Sequence, residues 1–109
     1  MQHLYNINFA VSTGSSKDFF SHFIQELLPA LRQEFSGVEI RAYRLTDPIY
    51  DESVCNCSLQ FTFPDEATRD AVMASQVLAD RIRSVSRTFE KNLVSFDSLL
   101  EEISLEETK

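Results

Sequence analysis

Tryptophan is absent from this chain, and only two glycines and three prolines interrupt its 109 residues. With so few turn formers, the chain should fold into a few long elements rather than many short strands. Two cysteines, Cys55 and Cys57, are too few for a disulfide framework, and the expectation is a reduced, cytoplasmic protein. No stretch approaches the roughly 18 consecutive apolar residues of a membrane span. The N-terminus also lacks the basic region and apolar run of a secretory signal. Cations are scarce as well, with ten Lys and Arg against seventeen Asp and Glu for a net charge of −7. That balance argues against bare nucleic acid and anionic membranes as partners. The charge is uneven: Asp97, Glu101, Glu102, Glu106 and Glu107 against Lys109 place −4 in the last thirteen residues. The expected organisation is one domain over residues 1–104 and an acidic tail over 105–109.

What is present is periodicity. In Leu4–Val11 the odd positions Tyr5, Ile7, Phe9 and Val11 are apolar, while Asn6 and Asn8 stand between them, the pattern of a half-buried strand. A loop of capping residues follows, with Ser15 as candidate N-cap and Asp18 suited to the positive end of the helix dipole. Phe20, Phe23, Leu27, Leu31 and Phe35 then recur at helical spacing, with Phe19, Ile24 and Leu28 widening the stripe and Gly37 as the stop. Pro29 lies inside this helix, where it removes a donor and clashes with the carbonyl of Gln25, at a cost of about 3 kcal/mol in a straight helix. Either the helix bends there, wrapping over a twisted sheet, or Pro29 opens a second segment; a freed Gln25 carbonyl is the functional alternative.

Val38–Arg44 alternates again, with Glu39, Arg41 and Tyr43 outward, and residues 46–53 carry turn chemistry. The third strand sets Cys55, Cys57, Leu59, Phe61 and Phe63 against Asn56, Ser58, Gln60 and Thr62. Asp65 caps a second helix running to about Lys91, whose stripe is Ala71, Ala74, Leu78, Ile82, Val85 and Phe89 beside Met73 and Val77. A fourth strand over 93–99 completes the order strand, helix, strand, strand, helix, strand.

Two strand–helix–strand units with amphipathic helices require one sheet whose apolar face receives both helices. The fold class is therefore α+β, a ferredoxin-like βαββαβ plait with a four-stranded antiparallel sheet. Its second face is left open, and the expected residues there include Asn6, Asn8, Arg41, Tyr43, Ser58, Gln60, Ser95 and Asp97, with Glu39, Asn56 and Thr62 beside them.

Four segments carry a family resemblance: Tyr5-Asn6-x-Asn8-Phe9-x-Val11, Pro29-Ala30-Leu31, Ser58-Leu59-Gln60-Phe61, and Phe96-x-Ser98-Leu99-Leu100-Glu101-Glu102-Ile103. Together they resemble a family of small bacterial proteins catalogued as domain of unknown function 4286. The chain departs from it at Cys57, where tyrosine is common, and in the turn before the third strand. The resemblance implies a ferredoxin-like, dimeric α/β-barrel type of fold and a homodimer, with no catalytic residue to transfer.

Each possible chemistry has a plainer account. Cys55 and Cys57, with Cα atoms roughly 6.5 Å apart, form half a soft-metal site, but they share a face with Leu59 and Phe61 and read as core. His22 faces Glu26 at four-residue spacing and reads as a surface pair, while His3 has no evident partner. Arg83, Arg87 and Lys91 form a basic stripe suited to the C-terminal end of a helix dipole. No metal or cofactor is implied. The open face is the strongest candidate: two such sheets packed together enclose a cavity for a small polar metabolite. The expectation is a non-enzymatic homodimer. A small dimeric-barrel enzyme, monooxygenase- or isomerase-like and built on Arg41, Tyr43 and Asp97, is the alternative, and RNA binding is weak because Tyr43 is the only stacking aromatic expected there.

Overall fold

Alternation in β1 (His3–Ser12) buries Tyr5, Ile7, Phe9 and Val11 on one side and leaves Asn6 and Asn8 half-buried on the other. The computed structural model describes residues 2–44, 54–89 and 92–103, with Thr13, Ser16 and residues 54–56 as backbone only. The turn expected over 46–53, the tail over 105–109, Lys91 and the Cys55 and Asn56 side chains lie outside the described residues.

β1 pairs with β3 (Val54–Phe63) and with β4 (Leu93–Glu101), and β2 (Glu39–Arg44) pairs with β3, all antiparallel. The order β2-β3-β1-β4 puts β1 and β3 in the centre. Each strand–helix–strand unit therefore skips over one strand, as expected for the ferredoxin-like plait.

The first helical region is segmented. A short 3-10 turn (Thr13–Ser15) leads into α1 (Ser16–His22), a π-helical turn (Phe23–Leu27) and α2 (Leu28–Glu34). Ser15 occupies the N-cap position but its side chain accepts no capping hydrogen bond, so Asp18 in the first turn is the main complement to the dipole. Pro29 falls in the first turn of α2, and the Leu28 N–H reaches back five residues to the Phe23 carbonyl. The widened turn just before the proline accommodates a residue with no N–H and removes the clash a regular helix would impose. Pro29 thus opens a second segment, as one of the two sequence readings has it.

The second helical region is also broken. Asp65 caps α3 (Glu66–Met73), its Oδ1 accepting from the Thr68 N–H at 2.7 Å. The chain then breaks at Ala74–Ser75 before α4 (Gln76–Phe89). Because of this break the stripe shifts: Val72 is buried, whereas Ala71 and Ala74, expected inward, are exposed.

The core lies between the helices and one face of the sheet. Phe9, Phe19, Leu31, Leu59 and Phe61 are fully buried, and Phe19 contacts Phe9, Phe23 and Phe89 with ring centroids 5.3–5.6 Å apart. Each such buried ring contributes on the order of 1.5–3 kcal/mol of transfer free energy. On the β2 edge the Arg44 guanidinium lies 4.4 Å above the Phe20 ring, so its charge stays at the boundary of the core.

Candidate functional site

Residues directly opposite one another in an antiparallel pair share a face, so the registers give the composition of the open face row by row. Tyr43, Ser58, Asn8 and Phe96 form one row; Arg41, Gln60, Asn6 and Ser98 form the next; Glu39, Thr62, Leu4 and Leu100 form a third. Val94 stands opposite Ala10 on the same side. Asn6, Asn8, Arg41, Tyr43, Ser58 and Gln60 therefore sit where the sequence puts them. Arg41 Nη2 lies 2.5 Å from Glu39 Oε1, and a hydrogen bond to Tyr43 and then the Glu39 charge hold the guanidinium above its ordinary pKa.

Ser95 and Asp97 do not. Asp97 is opposite Ile7 and Ser95 is opposite Phe9, which puts both on the helix side of the sheet. The sequence reading put Ser95 and Asp97 on the open face, and a one-residue slip reverses every side chain of a strand. Phe96, Val94 and Leu100 instead point away from the helices and are 60%, 65% and 44% exposed. The open face is thus polar over β2 and β3, mixed on β1, where Leu4 and Ala10 flank Asn6 and Asn8, and largely apolar along the β4 edge. The trio Arg41, Tyr43 and Asp97 is divided: β2 and β4 are three strand spacings apart, roughly 14 Å, and Asp97 faces the opposite side.

On the helix side Asp97 finds a different partner. The Tyr5 hydroxyl donates to Asp97 Oδ2 at 2.5 Å, reaching across 92 positions of sequence. Burial, followed by the hydrogen bond and the charge of Asp97, raises the Tyr5 pKa well above that of a free phenol, so the group stays protonated and a donor. Both residues border a cleft of about 370 Å³ between β4 and the helices α3 and α4. The sequence carries a trace of this pair, since Tyr5 is the one buried hydroxyl-bearing ring of β1 and needs a partner there.

The histidines sit in ordinary pairs. His22 Nδ1 is 2.6 Å from Glu26 Oε2, as the spacing predicts, beside a cavity of about 390 Å³ also bordered by Arg81 and Ser84. His3, expected to lack a partner, is 5% exposed and its Nδ1 lies 3.0 Å from Arg69 Nη1, with Glu66 Oε1 3.7 Å from Nε2. Arginine only donates, so Nδ1 is the accepting nitrogen and Nε2 carries the proton. Sequence alone did not suggest this pair, which joins the start of β1 to α3. Cys57 is buried among the core residues. Arg83 of the basic stripe lies 3.6 Å from Asp80 Oδ1.

No family model matches the chain, and no curated protein does. Solved structures do match. An ethyl tert-butyl ether D family protein from Bacillus halodurans superposes with a TM-score of 0.66 at 15% identity, over 93% of this chain and 99% of its own. A dimeric ferredoxin-like protein of unknown function from Jannaschia sp. has a TM-score of 0.58 at 21% identity, over 92% of this chain and 99% of its own. The fold is ferredoxin-like. A cofactor-independent oxygenase from Streptomyces nogalater also shares it, with a TM-score of 0.56 at 13% identity over 95% of this chain and 96% of its own. At these identities the likeness carries the architecture and none of the activities.

Proposed function

We propose that the chain works as a homodimer, two sheets packed through their open faces, that binds a small polar metabolite between them. One observation carries this reading: Val94, Phe96 and Leu100 make an exposed apolar strip on a sheet face that, among the described residues, no helix covers. Three strands of nine or ten residues and one of six span at most roughly 19 by 30 Å. Two such faces give a footprint of at most about 1,100 Å², near the lower bound of a specific interface. In this arrangement the apolar β4 edge seals the contact. The pairs Asn6 with Gln60 and Asn8 with Ser58 form its polar centre. Buried amides require partners, and a ligand with several hydrogen-bonding groups supplies them. The dimeric state described for the Jannaschia protein supports the assembly by analogy of fold.

An enzyme using the inter-sheet cavity is the weaker reading, because its motivating trio is divided between two faces. RNA is disfavoured too. Phe96 adds a second exposed aromatic, but at the edge opposite Tyr43, and Arg41 is already paired with Glu39. Among the described residues no helix is long and apolar enough to cross a membrane, and a cytoplasmic location belongs to the same proposal. Membership of the domain of unknown function 4286 family is a further part of the proposal, supported by the resemblance of the four sequence segments alone.

Light scattering after size exclusion tests the assembly. Wild-type chain at micromolar concentration should have twice the mass of one chain, and Val94→Glu with Leu100→Glu should halve it while the far-ultraviolet spectrum is retained. A monomeric wild type refutes the proposal.

A further inference from the structure

The cleft on the helix side of β4 is separate from the open face and has a chemistry of its own. Met73, Leu78, Ala79 and Ile82 give it apolar walls, and its volume of about 370 Å³ lies within the range of small-molecule sites. Tyr5 and Asp97 border it together, and a second cavity of about 120 Å³ beside it shares Tyr5, Ile82 and Asp97. Asp97 is solvent-exposed and sets a carboxylate on the border of the cleft, beside its apolar walls. Asp97 accepts one hydrogen bond, from Tyr5 to Oδ2, and among the described residues it has no ion pair. Arg83 borders the same cleft, but the ion pair it makes is with Asp80. The break at Ala74–Ser75 shapes the site, since Met73 and Ser75 flank the break and both line the cleft.

We infer that this cleft binds a small, largely apolar molecule carrying a hydroxyl group, which donates a hydrogen bond to Asp97. The apolar walls select the body of the ligand. Asp97 selects a donor, because an ionised carboxylate can only accept. The neighbouring Tyr5 hydroxyl has its proton committed to Asp97. Asp97 lies 92 positions from Tyr5 in sequence, and β4 brings them together only in the register observed.

Two probes of matching shape test this, 2-naphthol and 2-methoxynaphthalene, and the absence of tryptophan leaves their fluorescence unobscured. 2-Naphthol should bind saturably below about 1 mM, and the methoxy compound, which has no donor, about tenfold more weakly. Asp97→Ala should abolish the preference between the two. Ala79→Leu, which fills the cleft from an exposed helical position, should weaken both, with the circular dichroism spectrum of each variant matching wild type. Absence of saturable 2-naphthol binding overturns the inference. So does equal affinity for both probes, or a preference that survives Asp97→Ala. The Val94→Glu, Leu100→Glu variant should bind 2-naphthol as wild type does, so this result and the dimer proposal stand or fall separately.

Discussion

Replacing Tyr5 by phenylalanine removes one oxygen from a buried ring and should have a double effect. The ring remains against Phe61, whose centroid is 5.6 Å away in an edge-on arrangement, so packing is retained and the lost interaction is the 2.5 Å hydrogen bond to Asp97. A hydrogen bond to a charged acceptor contributes about 1.5–3 kcal/mol, but Asp97 sits on an edge strand where water can replace the hydroxyl. The expected loss is therefore about 1–1.5 kcal/mol, or a melting temperature lower by about 5 °C in a domain of this size. The second effect is in pH. The unfolded tyrosine releases its proton near pH 10 and the folded one only above that, so the native contribution is complete below about pH 10 and lost as pH rises. Urea midpoints measured between neutral pH and about pH 10.5 should fall more steeply for wild type than for Tyr5→Phe, the curves converging on the alkaline side. A double-mutant cycle with Asp97→Asn should give a coupling of about 1 kcal/mol. A Tyr5→Phe variant as stable as wild type, or one with the same alkaline slope, refutes the assignment.

Pro29→Ala distinguishes a proline that strains a helix from one that fits it. In the first turn of α2 the missing N–H is not needed, so the substitution should lose about 0.4–1 kcal/mol through a less restricted unfolded chain. A gain approaching 3 kcal/mol in urea unfolding contradicts the fit. Asp65→Ala removes the acceptor for the Thr68 N–H and should lower the urea midpoint at neutral pH. The Asp65 carboxyl is held below its ordinary value of 3.8 by that hydrogen bond, so its contribution is present above that pH and lost as the folded group is protonated below it. The gap between variant and wild type should therefore close in acid, and a gap that widens there contradicts the cap.

Much of the architecture was legible because burial imposes its period on the chain. Tyr5, Ile7, Phe9 and Val11 must all face the core if any of them does, and Leu59, Phe61 and Phe63 repeat the constraint on the neighbouring strand. Helical spacing likewise located Phe23, Leu27 and Leu31, and the cap at Asp65 follows from its chemistry. The break at Ala74–Ser75 was not legible, because alanine and serine are both acceptable in a helix and neither marks an interruption. The His3–Arg69 contact was hidden for another reason: it joins residues 66 apart, and no local pattern encodes it.

β4 is where the inference from pattern to face fails, and the failure is informative. Val94, Phe96 and Leu100 at its even positions outnumber the apolar Leu93 and Leu99 at its odd ones, and a single domain in water is expected to turn the more apolar side inward. The observed register turns them outward and Asp97 inward, so propensity within one chain does not explain the strand. Each inversion has its own meaning. Apolar side chains on the open face leave the surface on which the proposed dimer rests, whereas Asp97 on the helix side is exposed and accepts a hydrogen bond from Tyr5. The same slip of one residue that displaced two predicted site residues therefore keeps the two proposals apart: the proposed dimer contact uses the open face of β4, and the proposed hydroxyl-binding cleft lies on its inner face. Substitutions at Val94 and at Asp97 lie three residues apart on one strand and should have independent effects, the first on mass and the second on binding.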